Sequence, residues 1–261
     1  MNTDRDTVIH AYGIVRGNGT FGLPETGVGA AGLALLDAGP VAGVFSILPE
    51  DAYGEAAWEQ HAEDPDWLAR VAGEHQQVLD TLVQDTDVLP LRLPAMYRDE
   101  VDLHDALTAQ ASLFGAVLDT LHDHLEWAVR LYYAGEPDRP ATEGAHSDHD
   151  YRRRRSRALA EREEGRGRLE RRVQGAYAAL ADAARSSVAD RPQDGARTGR
   201  SEPTLLSSAH LVCRRHERFF IAAVEDVAQR LAPVGITVEV SGPWPPYNFV
   251  DLGTQSLGAP A

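Results

Sequence analysis

This sequence of 261 residues contains no lysine and only one cysteine. All 25 of its basic residues are therefore arginine, which we attribute to a GC-rich coding sequence. The single Cys213 excludes an internal disulfide, so the chain suits a reducing cytoplasm. Because Cys213 lies among apolar residues on a predicted strand, we interpret it as a buried structural thiol rather than a nucleophile.

Long apolar runs are also missing. No uninterrupted apolar stretch approaches the roughly 18 residues that suggest a membrane-spanning helix, and the first residues lack the basic stretch and apolar core of a secretory signal. Acidic residues outnumber basic ones by 40 to 25, and the net charge of −15 disfavours binding to nucleic acid or to an anionic membrane. We therefore expect a cytoplasmic protein whose partners are neither membranes nor nucleic acids.

What is present is enough apolar material, 43% of the residues, for a substantial core. Hydrophobic periodicity predicts an α+β fold with two domains, residues 1–124 and 125–252, followed by a disordered tail at 253–261. The C-terminal domain reads strand–helix–strand–strand–helix–strand, which is the ferredoxin-like βαββαβ order, with a long helix over Asp148–Ala184. The elements predicted for the N-terminal domain are strands at Val8–Val15, Leu33–Asp37, Val41–Leu48 and Val88–Leu91, a helix that begins at Asp64, and a second helix that carries Leu103 to Leu121.

Three patterns that could carry chemistry are weak. The run Gly17-Asn-Gly-Thr-Phe-Gly22 matches GxGxxG, but glycines and a proline follow it where a nucleotide site needs a helix. His122 and His124 form one histidine pair and His146 and His149 another. A zinc site needs three or four ligands, so we interpret the first pair as a helix cap and the second as solvated surface. We predict no catalytic residue, no cofactor and no metal site, and no enzyme.

An arginine-rich stretch begins at Arg152. Residues 151–172 contain ten arginines and four glutamates, a local charge of +6. A solvated helix face with pairs such as Glu164–Arg168 is one interpretation. The other is a contact with an acidic protein surface, which a second copy of this chain could supply.

The most distinctive segment is Gly242-Pro-Trp-Pro-Pro-Tyr-Asn-Phe-Val250. Three prolines fix φ and remove backbone donors, so the segment is neither a helix nor an inner strand. Its aromatic side chains favour burial, either as a strap on the segment's own domain or in a partner. We select six residues as structural or partner-binding positions: Trp244, Pro245, Pro246, Tyr247, Trp127 and Tyr133.

The same segment resembles the C-terminal signature GPWPPYSFV of the gas vesicle accessory proteins GvpL and GvpF, with Asn248 in place of serine. Val88-Leu-Pro-Leu-Arg92 resembles the family's VLPLRFG block, and Glu126-Trp127 resembles its EW strand. Further similarity lies in the helix from Asp64 to His75 and in the strand Leu206–Arg214, so the resemblance covers nearly the whole chain. Departures occur at Leu93-Pro94, where the family has phenylalanine and glycine, and at Ser207 and His210.

The resemblance implies an accessory protein that binds the major gas vesicle shell protein and other accessory proteins during assembly. It leaves two options open for the role of such a protein. The protein either acts as a transient, chaperone-like partner or stays in the vesicle as a minor component. An alternative function is a small-molecule-binding or enzymatic α+β protein, which a pocket lined by His75, Arg92 and Tyr97 would favour.

Overall fold

The computed structural model describes residues 7–135, 148–190 and 202–250, without the side chains of 148–162 and 190. Two compact units are present. Residues 7–126 and 243–250 lie in the first, and the described residues of Trp127–Gly242 form the second. The predicted C-terminal domain included residues 243–252, whereas the structure groups 243–250 with the first unit. The predicted disordered tail, 253–261, lies outside the described residues.

The first unit combines five strands with five helices. The strands are β1 (Thr7–Arg16), β2 (Leu33–Asp37), β3 (Val41–Pro49), β4 (Leu89–Pro90) and β5 (Met96–Tyr97). The helices are α1 (Glu50–Tyr53), α2 (Glu55–His61), α3 (Pro65–Asp85), α4 (Glu100–Ala109) and α5 (Ala111–Leu121). The sheet has the order β2-β3-β1-β4, with β5 also paired to β1, and these pairings are antiparallel.

Strand β1 is buried on both faces because helices cover both sides of the sheet. On one side Tyr12 and Val15 pack in a cluster with side chains of α3. On the other side Ile14 packs in a cluster with Phe114 and Leu118 of α5. This double coverage explains why β1 reads as a nearly continuous apolar run rather than as an alternating one.

Helix α3 begins where the sequence predicts. The Asp64 carboxylate accepts hydrogen bonds from the backbone N–H groups of Asp66 and Trp67, both at 3.1 Å, and Pro65 occupies the first helical position. The buried face consists of Val71, His75, Val78, Leu79, Leu82 and Val83, which confirms most of the predicted stripe.

The prediction of one helix through Leu121 was wrong in detail. Gln110, with φ −119° and ψ 12°, separates α4 from α5. The sequence also did not predict α1 and α2. These helices have four and seven residues, which is too short for a 3.6-residue apolar period to be visible.

The second unit contains most of β6 (His124–Tyr133), then α6 (Asp148–Asp182), β7 (Ser186–Asp190), β8 (Thr204–Cys213), α7 (Glu217–Leu231) and most of β9 (Ile236–Trp244). Its sheet has the order β7-β8-β6-β9. The core lies between this sheet and the two helices, with Val129 and Leu131 facing Leu180 and Val224. The predicted mixed α+β class is thus confirmed.

None of the helices within the described ranges combines the length and apolar character needed for a bilayer span.

The loop between β1 and β2 passes close to a buried tyrosine. The Tyr12 hydroxyl accepts a hydrogen bond from the Val28 N–H at 2.8 Å and lies 3.0 Å from Ser46 Oγ. A Cβ at Gly27 would lie 2.1 Å from that hydroxyl oxygen, so the loop requires glycine there.

We expect Gly27→Ala to lower the free energy of unfolding by about 1–3 kcal/mol, because the new methyl group would displace Tyr12 from its hydrogen bonds. Gly32→Ala, in the same loop, is the matched control, since a Cβ added at Gly32 would have no neighbour within 4 Å. Urea denaturation of both variants measures the difference. An equal loss in the two variants would show that the Tyr12 contact is not the cause.

Candidate functional site

We call Pro243–Val250 the C-terminal strap. Its first two residues end β9, the terminal strand in its sheet, where proline is tolerated because one edge of the strand needs no ladder partner. Pro245 and Pro246 are buried, and Tyr247–Phe249 form a single 3-10 turn. The strap therefore leaves the edge strand and packs on the first unit.

Tyr247 is held at three points. Its hydroxyl donates to Gln76 Oε1 at 3.3 Å, and its carbonyl oxygen accepts from Arg92 Nη2 at 3.2 Å. The Arg92 guanidinium also lies over the tyrosine ring, 5.9 Å from its centroid. The ring packs against the cluster on the α3 side of the sheet. Burial, the largest cause, raises the pKa of the Tyr247 phenol, so the hydroxyl stays a donor at neutral pH.

Asn248 is bound by a buried carboxylate. Its backbone N–H donates to Glu126 Oε2 at 2.8 Å, and its side-chain Nδ2 donates to Glu126 Oε1 at 2.6 Å. Glu126 is only 5% exposed. A buried carboxylate needs such donors, since its desolvation would otherwise be costly. The asparagine that replaces the family's serine is therefore one of the anchors of the strap.

The six predicted site residues separate into two groups. Pro245 and Pro246 are buried in the strap, Tyr247 is half-buried, and Trp244 is 38% exposed. Trp127 and Tyr133 belong instead to the core of the second unit, and the Trp127 ring lies 6.2 Å from that of Phe220. As partner-binding positions, all six residues remain predictions.

Sequence reasoning missed the role of three anchors of the strap: Gln76, Arg92 and Glu126. A signal was present for two of them. Arg92 ends the VLPLR block and Glu126 begins the EW block, so two separate blocks of the family resemblance converge on the strap.

A second cluster of polar groups is a pair of buried histidines, His10 on β1 and His75 on α3, which are 1% and 2% exposed. His75 Nε2 donates to the Leu91 carbonyl oxygen at 3.0 Å, so His75 Nδ1 must accept the proton of His10 Nε2, also at 3.0 Å. His10 Nδ1 then faces Met96 Sδ at 3.3 Å. Burial, the largest cause, lowers the pKa of His10 to about 3 and that of His75 to about 4. Both rings are therefore neutral at physiological pH.

His210 is one of the departures from the family pattern. In the second unit, each of its two ring nitrogens has a hydrogen-bond partner. Its Nε2 lies 2.9 Å from Ser208 Oγ and its Nδ1 lies 2.8 Å from Ser187 Oγ. The Ser208 hydroxyl donates in turn to the Val129 carbonyl oxygen at 3.2 Å. Burial lowers the pKa of His210 to about 4, so this ring is a neutral core group.

We interpreted the His122–His124 pair as a helix cap, but in the structure His122 binds a carboxylate. His122 follows the last residue of α5, but its Nδ1 binds the Asp87 carboxylate at 2.7 Å, and this hydrogen bond raises the pKa of His122. His146 and the side chain of His149 lie outside the described residues. Within the described part of the chain, no three metal-ligating side chains of the His, Cys, Asp or Glu type come together.

The three residues of the alternative pocket have separate surroundings. His75 is enclosed by its hydrogen bonds to His10 and Leu91, and Arg92 lies against Tyr247. Tyr97 is buried in the cluster on the α4–α5 side of the sheet, where burial raises its pKa to about 12.

We expect Glu126→Ala to lower the free energy of unfolding by about 2–3 kcal/mol, because both Asn248 donors would lose a charged acceptor. Asn248→Ser keeps the backbone donor and should cost less, about 1 kcal/mol. Trp244→Ala should also cost less than Tyr247→Ala, since the Trp244 ring is more exposed. Urea denaturation of the four variants tests this order. A loss for Trp244→Ala as large as that for Tyr247→Ala, or a loss for Asn248→Ser as large as that for Glu126→Ala, would contradict it.

Acidification should destabilise the fold through the three buried histidines. Their folded-state pKa values lie below the ordinary 6.5, so the unfolded chain binds more protons as the pH falls. From about pH 6.5 to pH 5, each histidine should remove about 2 kcal/mol from the free energy of unfolding.

The measurement is urea denaturation between about pH 7 and pH 5, where the carboxylates stay mostly ionised. His10→Gln should show a shallower decline with falling pH than the wild type, whatever its stability at pH 7. His104→Gln, at an exposed histidine, is the control and should keep the wild-type slope. If His10→Gln also keeps that slope, His10 does not contribute to the pH dependence.

Comparison with known proteins extends the structural description. The sequence matches the family described as "Gas vesicle synthesis protein GvpL/GvpF" over residues 8–251. It is 29% identical over 266 aligned residues to "Gas vesicle protein L" of Streptomyces sp. (strain CB03234), and the alignment covers 98% of this chain and 97% of that protein.

The fold is similar to two crystal structures of the gas vesicle protein GvpF. For GvpF from Anabaena sp. PCC7120 the TM-score is 0.64 at 15% identity, covering 93% of this chain and 95% of that one. For GvpF from Microcystis aeruginosa the TM-score is 0.66 at 16% identity, covering 93% and 98%. These similarities show a shared fold, and the family match spans nearly the whole chain. The chain therefore belongs to the gas vesicle synthesis protein GvpL/GvpF family.

Proposed function

We propose that this chain is an accessory protein of gas vesicle assembly that binds the major shell protein and other accessory proteins in the cytoplasm. Family membership supports the gas vesicle setting. The proposed binding activity is carried by one observation, the exposed apolar strand β2 at the end of the first sheet.

Strand β2 has the sequence Leu-Ala-Leu-Leu-Asp, and β3 is its partner on one side. Within the described residues, no strand pairs with its other side. Ala34 is exposed and Leu35 is 43% exposed. Sheet edges are usually protected by charged side chains, proline or a bulge, and residues 33–36 of β2 include neither a charged residue nor proline. An apolar edge of this kind suits the addition of a strand from a partner through main-chain hydrogen bonds.

The negative charge of the first unit would keep a complex formed at this apolar edge soluble. Residues 1–126 contain 22 acidic and 5 basic residues, a net charge of −17. A shell that excludes liquid water requires subunits with an apolar face, and such subunits aggregate when they are free. A strongly acidic partner that covers an apolar strand would keep the complex soluble until the subunit is incorporated.

Trp244 offers a second contact. Its side chain is 38% exposed at the end of β9, next to the buried prolines of the strap. The anchored strap would hold Trp244 in a fixed position for a partner, as the partner-binding proposal for this segment requires.

The test is capture of the soluble major shell protein by the purified full chain. We expect the wild type to bind and Leu35→Asp to bind roughly tenfold less, because a carboxylate would have to be desolvated in the new strand pair. Leu113→Asp is the matched control, since Leu113 on α5 is 41% exposed but lies on a helix. Trp244→Ala tests the second contact. Circular dichroism of each variant checks its fold.

Equal capture by the Leu35 and Leu113 variants would place the contact away from β2. If the folded wild type captures no shell protein, the binding proposal fails. Washed vesicles address the separate question of retention, since a stoichiometric amount of the chain there would identify a minor vesicle component rather than a transient chaperone.

A further inference from the structure

The two units carry very different charges. Residues 1–126 have a net charge of −17, whereas residues 127–242 contain 17 acidic residues and 20 arginines, a net charge of +3. A chain with one strongly acidic part and one weakly basic part presents complementary surfaces to other copies of itself.

The second unit contains a groove of about 310 Å³ between α6 and α7. Ala176, Val227 and Leu231 supply its apolar lining, and Arg172 and Arg230 line it as well. Gly175 also lines the groove, and a Cβ at Gly175 would have no neighbour within 4 Å. The groove therefore has room for an apolar side chain, and two arginines line it.

The charges at this groove are only partly neutralised. Arg230 pairs with Asp226 on its own helix at 3.2 Å. Further along α6, Arg166 and Arg168 pair with glutamates of the same helix. Arg172, in contrast, has no ion pair within the described part of the chain. The groove thus combines an apolar lining with an uncompensated positive charge.

The start of α4 in the first unit combines an exposed apolar side chain with negative charges, which complement the apolar lining and the arginines of the groove. Val101 is 68% exposed, more than any other large apolar side chain in the described residues. Glu100 and Asp105 beside it are exposed carboxylates, and Asp105 lies one turn along from Val101 on the same helix face. Arg98, two residues before Glu100 in the sequence, is paired with Asp102 at 3.3 Å.

We propose that this chain self-associates, with the first turn of α4 of one copy bound in the α6–α7 groove of another. Val101 would contact the apolar lining, and the carboxylates of Glu100 and Asp105 would pair with Arg172 and Arg230. Every copy carries both surfaces, so the contact forms either a reciprocal dimer or an open chain of copies. One helical turn in one groove is a small interface, so the association is weak, reversible and sensitive to salt.

Sedimentation velocity of the purified full chain tests the proposal over about 1–200 µM protein, at about 50 mM and about 500 mM salt. We expect concentration-dependent association at low salt that weakens at high salt. Arg172→Glu and Val101→Glu should each weaken it by roughly tenfold or more. Arg171→Glu is the matched control, because Arg171 is the adjacent exposed arginine of α6 and does not line the groove.

A charge exchange distinguishes a specific contact from general attraction. Neither the Glu100→Arg/Asp105→Arg variant nor the Arg172→Glu/Arg230→Glu variant should self-associate, but a mixture of the two should form a complex. A wild type that stays monomeric over the whole range at low salt would overturn the proposal and leave the groove to a different acidic partner. Equal effects of Arg171→Glu and Arg172→Glu, or no complex in the mixture of folded variants, would overturn it as well.

Discussion

The position of the C-terminal strap depends on the hydrogen bonds that Asn248 donates to the buried carboxylate of Glu126. A carboxylate at 5% exposure has lost most of its hydration, and the two donors of Asn248 replace part of it. The chain leaves the first unit after Glu126 and returns to it at Pro243. The hydrogen bonds between residues 126 and 248 therefore join the segments on either side of the second unit, and removal of Asn248 would leave the Glu126 carboxylate buried with fewer hydrogen bonds.

Proline makes this arrangement possible at a low entropic cost. Each ring fixes φ in the unfolded chain as well as in the folded one, so less freedom is lost when the strap is ordered. A proline also has no backbone N–H that burial would leave without an acceptor, so Pro245 and Pro246 can be buried outside regular secondary structure. A few specific contacts, at Tyr247 and Asn248, are then enough to fix eight residues.

The elements that could be predicted are those whose own residues determine them. The start of α3 follows from Asp64 and Pro65, and its buried face follows from apolar spacing. The break at Gln110 could not be predicted, because the apolar period continues across it. His75 could be placed on the buried face of α3, but its partner His10 is 65 residues away and no local pattern connects them.

The strap shows the same limit. The sequence indicated that the aromatic residues of the strap favour burial. It could not distinguish burial within the chain from burial in a partner, because both require the same side chains. The structure separates them, since Tyr247 is held by Gln76 and Arg92 whereas Trp244 remains 38% exposed. The distinction depends on Gln76, Arg92 and Glu126, which are distant in sequence and become neighbours only in the folded first unit.

The charge asymmetry also bears on which partners an exposed strand can accept. An apolar edge such as β2 could pair with the same edge of a second copy, which is the usual hazard of an unprotected strand. In two copies of the chain, the stretches 1–126, each with a net charge of −17, repel one another at that distance, because an edge-to-edge contact lies within the Debye length of about 8 Å at physiological salt. A small, apolar partner without excess negative charge does not meet this barrier, and neither does the arginine-lined groove of the second unit. Acidic composition therefore does more than provide solubility: it favours both proposed contacts over β2–β2 pairing between copies.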